Sequence, residues 1–154
     1  MNHNEHSARP SVTRLALDAT RHCLTGCAIG EIVGLVISGA LGLTTEASVV
    51  AGIVLAFVFG YSLTFVPLLQ GGMALRQAVG LTLAADTISI VVMETVDNLI
   101  VLFVPGAMIA GLTDPLFWGS LAVGLVIAFA AAFPVNRWLI ARGRGHVLAH
   151  GAHG

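Results

Sequence analysis

Residues 81 to 104 read LTLAADTISIVVMETVDNLIVLFV, a run long and apolar enough to cross a bilayer that nevertheless carries Asp86, Glu94 and Asp97 and no basic residue. At ~100° per residue, Asp97 lies about 20° from Asp86, Met93 about 20° to its other side, Glu94 about 80° away and Asn98 about 120°. The polar groups therefore share one side of a helix. Ile88, Val92, Val96 and Leu99 occupy the other side, which can meet lipid or a neighbouring helix. A carboxylate at the bilayer centre costs roughly 2.5–3.5 kcal/mol on insertion scales, so such groups face a bundle interior and mark an ion or proton pathway. The remaining spans must build that interior.

Composition agrees with a membrane protein. Of 154 residues, 56% are hydrophobic and 10% charged, which excludes an ordinary soluble domain. The formal net charge of −1 gives no nucleic-acid signal. Two cysteines, Cys23 and Cys27, are too few for a disulfide framework. The polar N-terminus lacks a compact apolar core followed by a cleavage site, so no removable signal peptide is expected.

The expected fold is all-α: four transmembrane helices with spans of about 23–43, 48–66, 79–104 and 116–139 within a membrane domain of residues 13–142. Residues 1–12 read as a flexible polar N-terminus and 143–154 as a flexible tail rich in Gly and His. Val12 to Arg21 reads as a short interfacial helix at the headgroups. In the first span Gly26, Gly30 and Gly34 form GxxxGxxxG, and in the second Gly52, Ala56 and Gly60 repeat the spacing. Small residues every fourth position let two helix backbones approach closely, so these spans are expected to pack together. Cys23, Cys27 and Glu31 recur at the same interval and climb an adjacent face. PLLQGG, from Pro67, is expected to end the second span, and Pro105 and Gly106 the third.

The seven basic residues are all arginine. Arg9, Arg14 and Arg21 precede span one, Arg76 lies between spans two and three, and Arg137, Arg142 and Arg144 follow the apolar part of span four. The other two connections carry acids but no Arg, so the positive-inside rule puts both termini in the cytoplasm.

That topology makes spans one and three parallel and brings Glu31, Asp86, Glu94, Asp97 and Asn98 to a common interior, with Glu31 expected opposite Asp86. With no buried cation to offset them, either several carboxyls are protonated or they hold a cation. Cys23, Cys27, Met93 and His22 are the candidate softer ligands, and His22 reads as an interfacial histidine first. Thiolate and thioether favour copper(I) and zinc, whereas carboxylate and amide favour magnesium, manganese and iron(II). The mixture fits zinc, copper, iron or manganese. CxxxC on one helix is a weaker metal signal than CxxC, and the two cysteines read equally as small residues in a tight helix contact.

HCLTGCAIGE (22–31), LAFVFGYSLT (55–64), LAADTISIVVMETVDN (83–98), PGAM (105–108), DPLFWGSL (114–121) and FPVNRWLIARGRGH (133–146) resemble a bacterial family of small four-helix integral membrane proteins catalogued as a domain of unknown function. The resemblance implies a four-span inner-membrane protein whose polar motif positions are Cys23, Cys27, Glu31, Asp86, Glu94, Asp97 and Asn98. Some relatives resemble fusions with, or neighbours of, metal-handling modules.

Three functions are expected to compete. The first is a cation transporter or channel, most plausibly for a transition-metal ion, working as a homodimer or larger homo-oligomer because four helices leave little room for a pore. The second is a membrane thiol oxidoreductase using Cys23 and Cys27. The third is a scaffold subunit in the lipid bilayer. No P-loop, dinucleotide fingerprint or Ser/His/Asp motif is present, which leans away from an enzyme.

Overall fold

The computed structural model describes residues 11–142; the terminal histidines and Arg9 and Arg144 lie outside them. Helix α1 spans Val12–Leu41, α2 Thr45–Gln70, α3 Leu75–Phe103 and α4 Pro115–Ala141, with one 3-10 turn at Ala107–Ile109. All four helices are long and apolar enough to cross a membrane. The expected four-helix membrane bundle is what the chain forms.

The helices begin where a side chain can satisfy free backbone N–H groups. The Ser11 hydroxyl accepts from Arg14 N at 3.2 Å, Thr44 Oγ1 from Ala47 N at 3.3 Å, and Asp114 Oδ1 from Leu116 N at 2.8 Å. Gly42 ends α1 at φ 62°, a left-handed cap that costs glycine least. Gly106, at φ 86°, turns the chain after α3 and Pro105.

Two boundaries differ from the sequence reading. No separate interfacial helix precedes α1, because nothing between Val12 and Cys23 breaks the helix: the segment lacks Gly and Pro and runs straight into the span. Helix α2 continues through Pro67 and ends at Gln70, inside the PLLQGG stretch, instead of stopping before it at about residue 66. Proline removes one N–H, not the whole turn, and leaves the Leu63 carbonyl without its helical partner.

The helices form a ring in chain order. Helix α1 packs on α2 and α4, α3 packs on α2 and α4, and α1 also touches α3 across the centre. The tightest pair is α1 and α2. A methyl added at Gly30 would overlap the Ala56 backbone, one at Gly26 would overlap the Gly60 backbone, and one at Gly34 would lie 2.7 Å from Gly52 Cα. Lipid tails are as apolar as leucine, so this close backbone contact, and not water exclusion, holds the pair. The bundle's core contains Cys23, Cys27, Ala56, Ile90, Met93, Ala128 and Ala132, with Val92 and Val96 packed against it. Ile88 and Leu99 stand exposed on the outside of α3.

Candidate functional site

Anchoring one face of α1 on α2 fixes the direction of the next face. Cys23, Cys27 and Glu31 then climb α1 beside α3, whose own polar side turns inward: Asp86, Met93, Glu94 and Asp97 are all buried. The two helices run parallel, and their register decides which groups meet.

At the end of the bundle formed by the start of α1, Cys23 Sγ donates to Asp86 Oδ1 at 3.7 Å, a long sulfur contact between two buried residues. His22 and Thr64 lie beside the same carboxyl. One turn deeper, Cys27 lies against Glu94. Deeper again, Glu31 has Asp97 and Glu94 as its acidic neighbours. Glu31 therefore does not face Asp86, as the sequence led us to expect. Asp86 and Glu94 are eight residues apart, or ~12 Å along a helix, so one glutamate cannot be level with both. Parallel packing pairs Cys23 with Asp86 and thereby carries Glu31 to the level of Glu94.

Three of these carboxyls carry oxygens that nothing satisfies. Asp86, Glu94 and Asp97 are 4–5% exposed. Among the described residues no hydrogen-bond partner reaches Asp86 Oδ2, either oxygen of Glu94, or Asp97 Oδ1. Polar groups of this kind are costly to bury unpaired.

Cavities adjoin them from both ends. An inner cavity of about 200 Å³ is lined by His22, Asp86, Thr64, Leu63 and Pro67, among others. A central chamber of about 110 Å³ is lined by Glu31, Glu94, Asp97, Asn98, Ser48 and Ser120, with apolar neighbours. A third cavity, of about 270 Å³, shares Leu35, Thr45, Ser48, Met108 and Ala110 with the chamber and reaches Gly42 and Gly111 in the connections at the opposite end. Between chamber and inner cavity lies a dry layer of Cys27, Ala56, Ile90, Met93 and Ala128.

The candidate soft ligands thus separate. Cys23 belongs to Asp86, Cys27 and Met93 belong to the dry layer, and His22 is exposed beside the inner cavity. Both cysteines are free and buried. Among the described residues no three His, Cys, Asp or Glu side chains converge closely enough to hold a metal ion by themselves. Asn98 Nδ2 is turned to its own helix, donating to the Glu94 carbonyl at 2.8 Å.

The sequence reading missed two features. The first is Gly124 of α4: a methyl there would collide with Asp97 Oδ1, so the glycine is the recess into which that carboxyl fits. Ser120, Gly124, Ala128 and Ala132 form a third small-xxx-small stripe, a signal for the buried face of α4 that does not name the acid it meets. The second is a buried clasp in which Asn136 Nδ2 donates to Thr20 Oγ1 at 2.9 Å and to Ser89 Oγ at 3.0 Å, joining α4 to α1 and α3. An asparagine inside the fourth apolar span was the available signal.

A domain-of-unknown-function model, DUF4396, matches residues 14–145, and the chain belongs to that family. No curated protein and no solved structure matches it.

Proposed function

We propose that this protein carries a cation across the bacterial inner membrane along the carboxyl column of Asp86, Glu94, Glu31 and Asp97. The observation that supports this reading best is the set of buried, unsatisfied carboxyl oxygens between cavities that approach from opposite ends of the bundle. Buried carboxylates unmatched by basic groups attract either protons or metal cations, and a membrane-spanning file of them marks an ion route. The apolar layer between the cavities fits a carrier better than an open pore, because among the described residues buried apolar side chains stand between the two ends. The ions compatible with the donors of the whole column are zinc, copper, iron and manganese. Both termini are placed in the cytoplasm by the distribution of arginine, and a homodimer or larger assembly in the lipid bilayer is the expected working form.

The competing readings have weaker support. A thiol oxidoreductase needs reachable thiols, yet Cys27 is sealed in the dry layer and the two cysteines lie a full turn apart on a continuous helix. A scaffold built on the glycine stripes would need those stripes free, and both are consumed by the α1–α2 contact within the chain.

The test is cation uptake into liposomes containing the purified protein, measured with an imposed ion or proton gradient. Wild type should take up cations, and Glu94→Gln together with Asp97→Asn should reduce uptake to the protein-free rate without loss of folded protein. Equal uptake by wild type and the double variant would remove the column from the mechanism. Reporter fusions at the two termini test the orientation: activity confined to the periplasmic side would reverse it.

A further inference from the structure

We propose that the chamber between Glu31, Glu94 and Asp97 binds one partly hydrated, oxygen-preferring divalent cation of the magnesium or manganese(II) class. This deepens the transport reading and rests on it only for the route, since occupancy of the chamber can be measured without flux.

Three observations carry the assignment. The polar donors facing the chamber are oxygen donors: the carboxyls of Glu31, Glu94 and Asp97, the hydroxyls of Ser48 and Ser120, and the amide of Asn98. No cysteine or histidine lines it, and the soft donor on its wall is the thioether of Met108, outnumbered by the oxygen donors. Such a set selects hard cations over copper(I) and zinc. Next, Glu94 lines the chamber, is 5% exposed, and both its oxygens lack a hydrogen-bond partner among the described residues. A ligand in the chamber would satisfy them. Last, the three carboxyls do not converge closely enough to hold a metal ion by themselves, while the chamber has about 110 Å³ of space. A water molecule's share of liquid volume is ~30 Å³, so about three or four fit. Magnesium dehydrates reluctantly and is held through one or two carboxylates with several waters retained. An ion held in this chamber would therefore keep part of its water shell.

Asp97 seats its Oδ1 in the recess at Gly124 of α4, and α4 also lends Ser120 to the chamber wall beside Glu31 of α1 and Glu94 of α3. The thiol contact of Cys23 with Asp86 lies on the far side of the dry layer and belongs to a different environment. A transition metal that crosses by this route is accordingly of the manganese kind.

The experiment is manganese(II) binding to the full-length protein in mild detergent, followed by electron paramagnetic resonance. Wild type should bind one manganese(II) per chain, with deuterium-exchangeable couplings showing at least two retained waters and with displacement by magnesium. Glu94→Gln and Asp97→Asn should each weaken binding by at least about tenfold. The spectroscopic result is read on wild type alone, so a variant that fails to fold does not shelter the proposal. A bound manganese without exchangeable water would overturn it. So would binding strongest for copper(I) or zinc and lost in Cys27→Ser, or chain-independent binding that survives both carboxyl changes. Those outcomes leave cation flux through the column to be judged separately by the liposome assay; conversely, wild type that binds hydrated manganese but moves no ion would retain the site and remove the transport reading.

Discussion

Helix α1 has two inward faces that obey opposite rules. Against α2 it presents Gly26, Gly30 and Gly34, and the backbones meet so closely that no side chain fits between them. Against α3 it presents Cys23, Cys27 and Glu31, and there the packing admits a chamber and leaves carboxyl oxygens unsatisfied. In lipid, helix association rests on close packing. The glycine face supplies it without any polar group, and the opposite face can then carry groups that oppose association. The lesson is a division of labour within a single helix: stability on one stripe, chemistry on the next.

The largest expected effect comes from breaking the first face. Gly30→Leu puts a side chain where the Ala56 backbone lies. Overpacking a well-filled core costs ~1–3 kcal/mol when side chains can yield, and here it is backbone that must move. We expect loss of the folded bundle, seen as a large fall in thermal midpoint and in monodisperse protein on size exclusion. Near-wild-type behaviour would show that α1 and α2 are held by something else.

A smaller effect follows from altering the second face without touching its acids. Gly124→Ala fills the recess that receives Asp97. The bundle should fold, while affinity for manganese(II) falls by roughly tenfold, or ~1.4 kcal/mol. Unchanged affinity would separate Asp97 from the chamber.

The smallest effect should come from the clasp that joins both faces to α4. Asn136→Ala removes two interhelical hydrogen bonds. Such bonds average ~0.6 kcal/mol in membranes, so a loss of about 1–2 kcal/mol is expected by reversible unfolding in detergent, with manganese(II) affinity retained. A tenfold fall in affinity would assign Asn136 to the site instead.

The two faces also differ in how far the sequence reveals them. The glycine stripes were legible because fourfold spacing is a property of one helix and needs no knowledge of its neighbour. The inward direction of Asp86, Glu94 and Asp97 was legible for the same reason: angle around a helix follows from residue number. The pairing of Glu31 was not. Which acid it meets depends on the axial register of α1 against α3, and a shift of about two turns replaces Asp86 by Glu94 and Asp97. Gly124 stands in the fourfold stripe of Ser120, Ala128 and Ala132, but its partner was unreadable for a related reason, since the Asp97 carboxyl that it accommodates belongs to another helix. Span centres were readable from hydropathy, whereas continuity through Pro67 and across Val12 to Cys23 was decided by local hydrogen bonding that hydropathy does not report.

The glycine contact has one more consequence, for motion. Helices whose backbones touch along three successive turns behave as a rigid pair, and their shared surface offers no rotamers to rearrange. Among the fully buried members of the apolar cluster that separates the cavities, the pair contributes Cys23, Cys27 and Ala56, all too short to swing aside, with Leu24, Phe57 and Tyr61 at its edge. Ile90 and Met93 of α3 supply the long side chains, and Ile90 Cδ1 lies 2.8 Å from where a methyl on Gly60 would stand. Methionine is the most pliant apolar side chain, with three rotatable bonds. Any passage between the cavities therefore has its hinge in two α3 side chains, or in α3 and α4 tilting together against an immobile half.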